Sequence, residues 1–498
     1  MKTYRPYSPN QTYLLPPSPS EWLPEHHLAY YVLDLVEGLD LGDIERPLQA
    51  KDPRGERPYS PRMMTALLLY GYAVGVVSSR KIERATYDDV AFRVLAAGEH
   101  PHFTTINAFR AQHRLAFAEL FHQVLRECMS AGLVKLGHVA IDGTKMKANA
   151  SKHKAMSYER MQKEEARLKA EVEALIARAE AVDAEEDALY GVGQQPSDLP
   201  VELRRREDRR KKILEVREAL KKETAKARAA EHAAMADELR EQAADPSTSS
   251  KFQSDFTTRA AQHDQQAADL DDDDPPPPAI DSDLPRNVPP KKPSGEPKPK
   301  AQRNFTDPDS RIMFRDGSYV QAYNAQLAVD EAHQIVVAAA LSNQGTDAEY
   351  FEPMLRRVVD NCDAAPEKVT ADASYFSADN LHAAEHLGCE PFIAVGAHRR
   401  SGHPEDLPVL ASRLTPEREA MHALLTSDRG KAAYARRKAT VEPVFGQIRA
   451  CRRIQQLSFR GLFKNRCEWL LICATHNILK LWRALRGRDP AQLTAAAA

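Results

Sequence analysis

The sequence predicts an α/β protein in which a mixed five-stranded sheet with helices follows an all-α N-terminal domain and is interrupted by a helical-hairpin or coiled-coil insertion. Three observations predict this class. Residues 20–135 have the apolar spacing of helices. From residue 136, apolar runs and helical segments follow in the order three strands, helix, strand, helix, strand, helix. A long charged segment separates the first strand from the second.

The N-terminal region contains only helical patterns. The apolar spacing is clearest in HLAYYVLDLVEGL, MMTALLLYGYAVGV and TINAFRAQHRLAFAELFHQVLREC. Thr104 and Thr105 stand just before the last of these helices, where an N-cap is expected. Short helices joined by tight turns can present one helix to a DNA groove, and a helical packing domain is an equally good interpretation.

The predicted sheet begins at LGHVAIDGTKM. SYVQAYNAQLAVD and HQIVVAAAL follow as neighbouring antiparallel strands, with a polar turn at 330–332. KVTADASYF and PFIAVGA supply the fourth and fifth strands. In such an order the strands of LGHVAIDGTKM and KVTADASYF are expected to lie side by side.

The segment between the first two strands divides into two parts. Its first part has apolar residues at heptad-like spacing, namely Met161, Leu168, Val172, Leu175, Ala179 and Val182. This predicts a helical hairpin or a coiled coil with a second chain, and a solvated charged helix is the third interpretation. Its second part has ten prolines between Pro275 and Pro299 and an acidic run, which predict a disordered or polyproline linker.

These patterns divide the chain into six parts. They are an N-terminal arm (1–19), a helical domain (20–135), an α/β domain (136–152 and 301–485), the helical insertion (153–244), the proline-rich linker (245–300) and a C-terminal tail (486–498).

The charge is unevenly distributed along the chain. The formal net charge is only −2, yet residues 429–483 hold thirteen Lys and Arg against two acids, Glu442 and Glu468. Such an excess displaces counterions from a phosphate backbone. The residues predicted to contact DNA phosphates are Arg436, Arg437, Lys438, Arg449, Arg452 and Arg453.

Several classes of protein are disfavoured by what the sequence lacks. The six cysteines form no CxxC pair, which argues against a zinc module or a disulfide framework. The sequence has no GxxxxGK[ST] motif for an ATP-driven mechanism and no pattern of a hydrolase triad. No signal-peptide or membrane-spanning pattern occurs, so a cytoplasmic location is expected.

Three carboxylates have the placement that metal-dependent phosphoryl transfer requires. Asp142 and Asp372 each interrupt an apolar strand, where an unpaired carboxylate is costly, so a cation is expected beside them. Glu442 is the sole acid between Asp428 and Glu468, and Pro443 follows it. Each acid alone fits an ion pair or a cap, but together they favour a two-metal site.

These segments resemble the DDE transposases of bacterial insertion sequences. IDGTKMKANAS is similar to the family's first-aspartate motif, TADASYFS to its second and RRKATVEPVFGQIR to its glutamate motif. SRKIERATYDDVAFRVLAAGEHPHFTTINAFRAQH resembles its InsH-type N-terminal domain, and NFTDPDSRIM and YNAQLAVD also match. The resemblance implies a ribonuclease H-like catalytic domain that cleaves transposon ends and transfers them to target DNA.

The resemblance also implies the site. Asp142, Asp372 and Glu442 would be catalytic and would bind the metal, with Mg²⁺ expected and Mn²⁺ possible. Double-stranded DNA, as terminal inverted repeats and target, would be the substrate, and a homodimer is expected on DNA. In the glutamate motif Arg449 stands where the family has lysine, Lys438 is the preceding base, and Tyr434 is one residue out of register.

Three other functions remain open at this point. One is a nuclease of the same fold that hydrolyses DNA without strand transfer. Another is a non-catalytic DNA-binding regulator, a domesticated or decaying relative. The last is a coiled-coil scaffold, which would leave the basic segment 429–483 unexplained.

Overall fold

A computed structural model describes residues 21–49, 57–190, 201–245, 248–270, 284–395 and 415–486. The predicted N-terminal arm (1–19) and all but the first residue of the predicted tail lie outside the described residues. No helix in the described part is long and apolar enough to span a membrane.

The N-terminal region is helical, as predicted, with no strand among its described residues. Its helices are α1 Leu28–Gly38, α2 Gly42–Gln49, α3 Pro61–Val74, α4 Ser79–Asp88, α5 Val90–Leu95, α6 Phe103–Gln112 and α7 Arg114–Ser130. The predicted N-cap was wrong, because His102 caps α6 and Thr104 lies inside the helix. The His102 imidazole accepts a hydrogen bond from the Thr104 backbone N–H, which a threonine hydroxyl was expected to do.

The sheet contains the five predicted strands and a sixth. In chain order its strands are β1 Val139–Lys147, β4 Arg311–Arg315, β5 Ser318–Asp330, β6 Ile335–Ser342, β7 Lys368–Ala371 and β8 Glu390–Ile393. A separate two-stranded sheet pairs β2 Ala155–Ser157 with β3 Gln302–Asn304. The order β6-β5-β1-β7-β8 makes β1 central, antiparallel to β5 and parallel to β7.

The unpredicted strand β4 pairs with the first part of β5 through a two-residue turn. Arg315 and Ser318 are partners, and Asp316 and Gly317 between them both have positive φ, 50° and 78°. Such residues form the hairpin turn that matches strand twist. The Asp-Gly pair was therefore a hairpin signal that the strand assignment overlooked.

Helices cover both faces of the sheet. The catalytic region continues with α11 Phe351–Cys362, α12 Ala378–His386, α13 Pro416–Thr426, α14 Asp428–Gly446 and α15 Leu462–Leu485. All eight residues of β6 are buried, and both α11 and α15 pack on it. Because neighbouring β-strand residues point to opposite faces, these two helices must lie on opposite sides of the sheet.

The helical N-terminal region and the sheet share one hydrophobic core. Helix α15 packs against α3 and α7 as well as β6. At this junction the Tyr72 hydroxyl donates to the buried Glu468 carboxylate over 2.7 Å. The Arg452 guanidinium is also buried there and donates to the carbonyl oxygens of Tyr72 and Ile472. The two regions are therefore joined by buried polar contacts as well as by apolar packing.

The chain between β2 and β3 contains three helices, two in the predicted helical insertion (153–244) and a third in the predicted linker. They are α8 Tyr158–Tyr190, α9 Val201–Ala244 and α10 Ser250–Ala268. Met161 and Leu168 of α8 pack with Ile213 and Val216 of α9, so the predicted heptad residues contact a helix of the same chain. The side chains of Ala179 and Val182 lie outside the described residues.

The predicted disordered or polyproline linker (245–300) was wrong at residues 250–268, which form α10. Helix α10 packs on α9 through Ala236, Leu239 and Ala260, so apolar residues among the polar ones suffice for a small core. After residues 271–283, which lie outside the described residues, Leu284 joins the main core and the Asn287 backbone N–H donates to the Asn343 side chain. Proline-rich composition therefore did not prevent these residues from packing against the rest of the chain.

The buried histidine His476 makes stability depend on pH. Its imidazole contacts the Gln447 side chain and the Gln334 carbonyl oxygen, and burial, followed by the nearby Arg452 charge, lowers its pKa from 6.5 to about 3. The unfolded chain therefore takes up a proton below pH 6.5 that the folded protein does not. We expect this residue's contribution to stability to be complete above pH 6.5 and to fall by about 2 kcal/mol at pH 5.

Urea denaturation at pH 7 and pH 5 measures this effect. The His476→Gln variant should lose that part of the pH dependence, whereas His382→Gln, which changes an exposed histidine on α12, should retain it. Identical pH dependence in wild type and His476→Gln would contradict the expectation.

Candidate active site

Asp142 and Asp372 lie at the same level of two neighbouring strands. Val139 of β1 pairs with Val369 of β7, and each aspartate follows its paired valine by three residues. Because the strands are parallel, both carboxylates reach the same edge of the sheet. The structure brings these two predicted site residues together.

Asp142 is nearly buried beside a cation. Its Oδ2 accepts a hydrogen bond of 2.9 Å from the Arg437 guanidinium of α14, and its Oδ1 accepts one of 2.8 Å from the Gly143 backbone N–H. Burial, together with the charge of Asp372, raises the pKa of Asp142 to about 6 in spite of Arg437. The cation expected beside this strand acid is thus Arg437, and the site still favours additional positive charge.

Asp372 has a less restricted environment. It caps a short 3₁₀ turn, Ala373–Tyr375, and its Oδ1 accepts hydrogen bonds from the Ser374 backbone N–H and hydroxyl at 2.8 and 2.5 Å. These contacts fix the carboxylate and engage one oxygen only. The other oxygen is available to a ligand. Because carboxylate oxygens are suitable ligands for a divalent cation, the chemistry of the two aspartates fits such an ion.

Glu442 does not join the two aspartates in this structure. It is exposed on α14, five residues after Arg437. Among the described residues, no three His, Cys, Asp or Glu side chains are grouped closely enough to hold a metal ion. A π-helical segment, Gln447–Cys451, directly follows α14, and such irregularities often occur at functional sites.

Comparison with known protein families decides the identity. A family model described as transposase DDE domain matches residues 289–478, and one described as transposase domain (DUF772) matches residues 17–112. Together they cover more than half of the chain. The chain belongs to the insertion-sequence DDE transposases. No curated protein and no solved structure has a significant match to it.

Membership establishes what the transposase does and what its fold is. It is a DNA transposase, and its DDE domain is a metal-dependent enzyme of ribonuclease H-like fold that cleaves and joins DNA. The match favours neither the nuclease nor the regulator. Asp372 and Glu442 lie within the matched DDE region, whereas Asp142 lies before it. The match also begins at residue 289, inside the predicted linker.

The six cations predicted to contact phosphate occupy different environments in the transposase. Arg452 is buried and donates to backbone carbonyls and to Thr475, so its predicted phosphate contact is not compatible with this structure. Arg437 is likewise buried, and its guanidinium pairs with Asp142. Sequence composition could not separate these from surface cations, because both types occur in the same basic segment.

The other four predicted cations lie at or near the surface. Arg436 pairs with Glu331 at 2.6 Å, and Arg449 donates to Thr144 at 3.2 Å and pairs with Asp316 at 2.9 Å. Lys438 and Arg453 are exposed. Thr144 lies two residues after Asp142, so Arg449 contacts the strand that carries this aspartate.

A polar network that the sequence analysis missed lies beside the aspartates. Asp347 accepts hydrogen bonds from Lys145 at 3.1 Å, from Asn324 at 2.6 Å and from Gln326 at 2.9 Å. The Tyr375 hydroxyl donates to the Gln326 side chain and so ties the turn after Asp372 to β5. The sequence did contain a signal for this network. Asn324 and Gln326 are amides at alternating positions of the otherwise apolar strand YNAQLAVD.

The acids Asp307 and Asp309 of the segment TDPDSR have structural contacts. Asp307 accepts hydrogen bonds from the Tyr323 hydroxyl and the Gly461 backbone N–H, and Asp309 accepts one from the Leu462 backbone N–H at the start of α15. Burial raises the pKa of Asp307. Both acids thus position the beginning of the last helix.

Proposed function

We propose that Asp142, Asp372 and Glu442 hold Mg²⁺ and form the catalytic triad with which this transposase cleaves the ends of its element and joins them to target DNA. The observation that carries the proposal is the pair of aspartates at one level of adjacent parallel strands. Two carboxylates at this spacing, one with its pKa raised to about 6, favour the arrival of a cation between them.

Each of the proposed site residues has a distinct role in this mechanism. Metal held at this site would supply the activation of water, and then of a DNA 3′ hydroxyl, as nucleophile. Asp142, on the central strand, would bind the metal, and the Ser374 hydrogen bonds hold Asp372 in position for the same role. Arg437 keeps Asp142 charged, because its guanidinium opposes the effect of burial on that carboxyl.

Glu442 completes the triad in the proposed mechanism. It lies on the helix that already contacts Asp142 through Arg437, and α14 packs on β1, β5, β7 and β8. Its exposed carboxylate has no ion pair within the described part of the chain. We infer that it joins the aspartates when metal and DNA are bound.

Conservative variants of two acids test the triad. Asp372→Asn and Glu442→Gln should each abolish excision of a marker flanked by the element's ends in Mg²⁺. The controls Asp379→Asn and Glu419→Gln change exposed acids on α12 and α13 and should excise like wild type. Normal excision by Glu442→Gln would remove Glu442 from the triad, and normal excision by both variants would reject the proposed site. Substituting Mn²⁺ for Mg²⁺ tests the choice of ion.

We further propose that Arg449, Lys438 and Arg453 contact DNA phosphates near the site. Their support is surface position, and Arg449 also reaches Thr144 beside Asp142. A homodimer assembled on DNA is part of the same proposal, because joining two element ends requires two sites. Light scattering of the protein with and without duplex ends measures that assembly.

A further inference from the structure

Three adjoining hollows connect the N-terminal helices, the end of β1 and the base of the insertion. The first is lined by Arg80, Asn107 and Asn149, among others, and ends at Gln456. Gln456 also lines the second, with Lys147, Lys152 and His153. His153 in turn lines the third. Since neighbouring hollows share residues, they form one continuous surface, which we call the basic groove.

The basic groove has one sign of charge. Its lining includes no aspartate or glutamate, whereas the hollow at Glu223 and Asp309 and the one at Asp330 and Glu331 contain both signs. Six of its cations are exposed and have no ion pair within the part of the chain that the structure describes. They are Arg80, Lys147, Lys152, Lys154, Arg160 and Lys212.

This pattern differs from that of the C-terminal segment 429–483. There, Arg436, Arg437 and Arg449 are paired with acids, and Arg452 is buried. Unpaired surface cations repel one another, so a run of them lowers stability unless an anion binds. The basic groove is therefore a candidate for a polyanion site in addition to the exposed cations of the C-terminal segment.

We propose that the backbone of duplex DNA binds along the basic groove, between the N-terminal helices and the base of the insertion. The proposal rests on the transposase function and adds the path of its substrate. Lys147 stands five residues after Asp142 on β1, roughly 17 Å along the strand at about 3.3 Å per residue. The basic groove thus reaches the end of the strand that carries Asp142.

The proposal also gives the insertion a task. Lys212 of α9 and Arg160 of α8 form one end of the basic groove, and Arg80 of α4 forms the other. Met161 and Ile213, which follow these two insertion cations, pack together in the core between α8 and α9. Packing of the two helices therefore holds cations that are far apart in sequence on one DNA-binding surface.

The salt dependence of DNA binding distinguishes the basic groove from the C-terminal segment 429–483. The probe is a fluorescein-labelled 30-base-pair duplex carrying the element's end, and anisotropy is measured between 50 and 200 mM NaCl in EDTA, where cleavage cannot occur. Lys152→Gln with Lys154→Gln should reduce the slope of log binding constant against log salt by about 2, since each phosphate contact contributes about 0.9. The matched control, Lys431→Gln with Lys464→Gln, changes two exposed lysines of the C-terminal segment and should leave the slope unchanged.

A second pair tests the far ends of the groove. Arg80→Gln with Lys212→Gln should produce a similar loss although these residues belong to different parts of the chain. Unchanged slopes in both groove variants, or an equal loss of slope in the control, would overturn the proposal. The proposal would also be overturned if the groove variants weakened binding of a 30-nucleotide single strand but not of the duplex. Because no metal is present, failure of the groove is distinguishable from failure of the triad, which would leave binding intact and stop cleavage.

Discussion

Replacing Asp142 with asparagine should slow DNA-end cleavage by at least about a thousandfold, because metal stabilisation of the transition state contributes several kcal/mol and each 1.4 kcal/mol is about tenfold in rate. Asparagine keeps the shape of the side chain, and its single amide oxygen can still accept one of the two hydrogen bonds that Arg437 and Gly143 donate to Asp142. Binding of duplex DNA, measured by anisotropy, should therefore persist while single-turnover cleavage is lost.

Two further variants make this result specific to metal binding. Asp142→Cys should be inactive in Mg²⁺ and should recover part of its cleavage in Mn²⁺, because thiolate prefers the softer ion. Asp360→Asn, an exposed acid on α11, is the control and should cleave like wild type. Full activity of Asp142→Asn in Mg²⁺ would exclude Asp142 as a metal ligand.

Substituting alanine for Gly75 should cost roughly 3 kcal/mol or more of folding stability. Gly75 ends α3 with φ 85°, a conformation that costs an L-residue about 1–2 kcal/mol. A Cβ there would also lie 2.2 Å from the Arg452 carbonyl oxygen, so the backbones must separate, and such overpacking adds about 1–3 kcal/mol. The displacement would disturb the hydrogen bonds of the buried Arg452 guanidinium.

Gly98→Ala separates backbone strain from the clash. Gly98 has a similar φ of 79°, but an added Cβ would meet no atom within 4 Å. Its loss of stability should therefore be only about 1–2 kcal/mol. The two free energies of unfolding come from urea denaturation, and equal losses would show that the contact between Gly75 and Arg452 is not tight.

The sequence allowed the central features of the fold to be predicted because they depend on local patterns. Apolar runs interrupted by Asp142 and Asp372 indicated two buried strands with acids at the same level, and β1 and β7 are indeed neighbours. The helical N-terminal region followed from apolar spacing in the same way. In each case the spacing of apolar residues along the sequence was sufficient for the prediction.

Other features depend on contacts between distant residues, and these escaped prediction. Arg452 lies in a basic segment of the kind that binds DNA. It is nevertheless buried, and it contacts Ile472 and Tyr72, which are distant from it in the sequence. The polar helix α10 is ordered by α9, on which Ala260 packs. The groove cations are spread from residue 80 to residue 212, so no window of sequence contains the basic groove.

The position of the insertion between two paired strands bears on how the chain folds. β1 ends at Lys147 and its antiparallel partner β5 begins at Ser318, so their pairing closes a loop of about 170 residues. Because of loop entropy, closing this long loop is about 3 kcal/mol less favourable than closing a hairpin loop of about five residues. The short β2–β3 sheet, joined at Ala155 and Asn304, clasps the insertion at its base. If α8, α9 and α10 fold first and this clasp closes, the effective loop becomes short, and the central strand can find its partner without searching through the whole insertion.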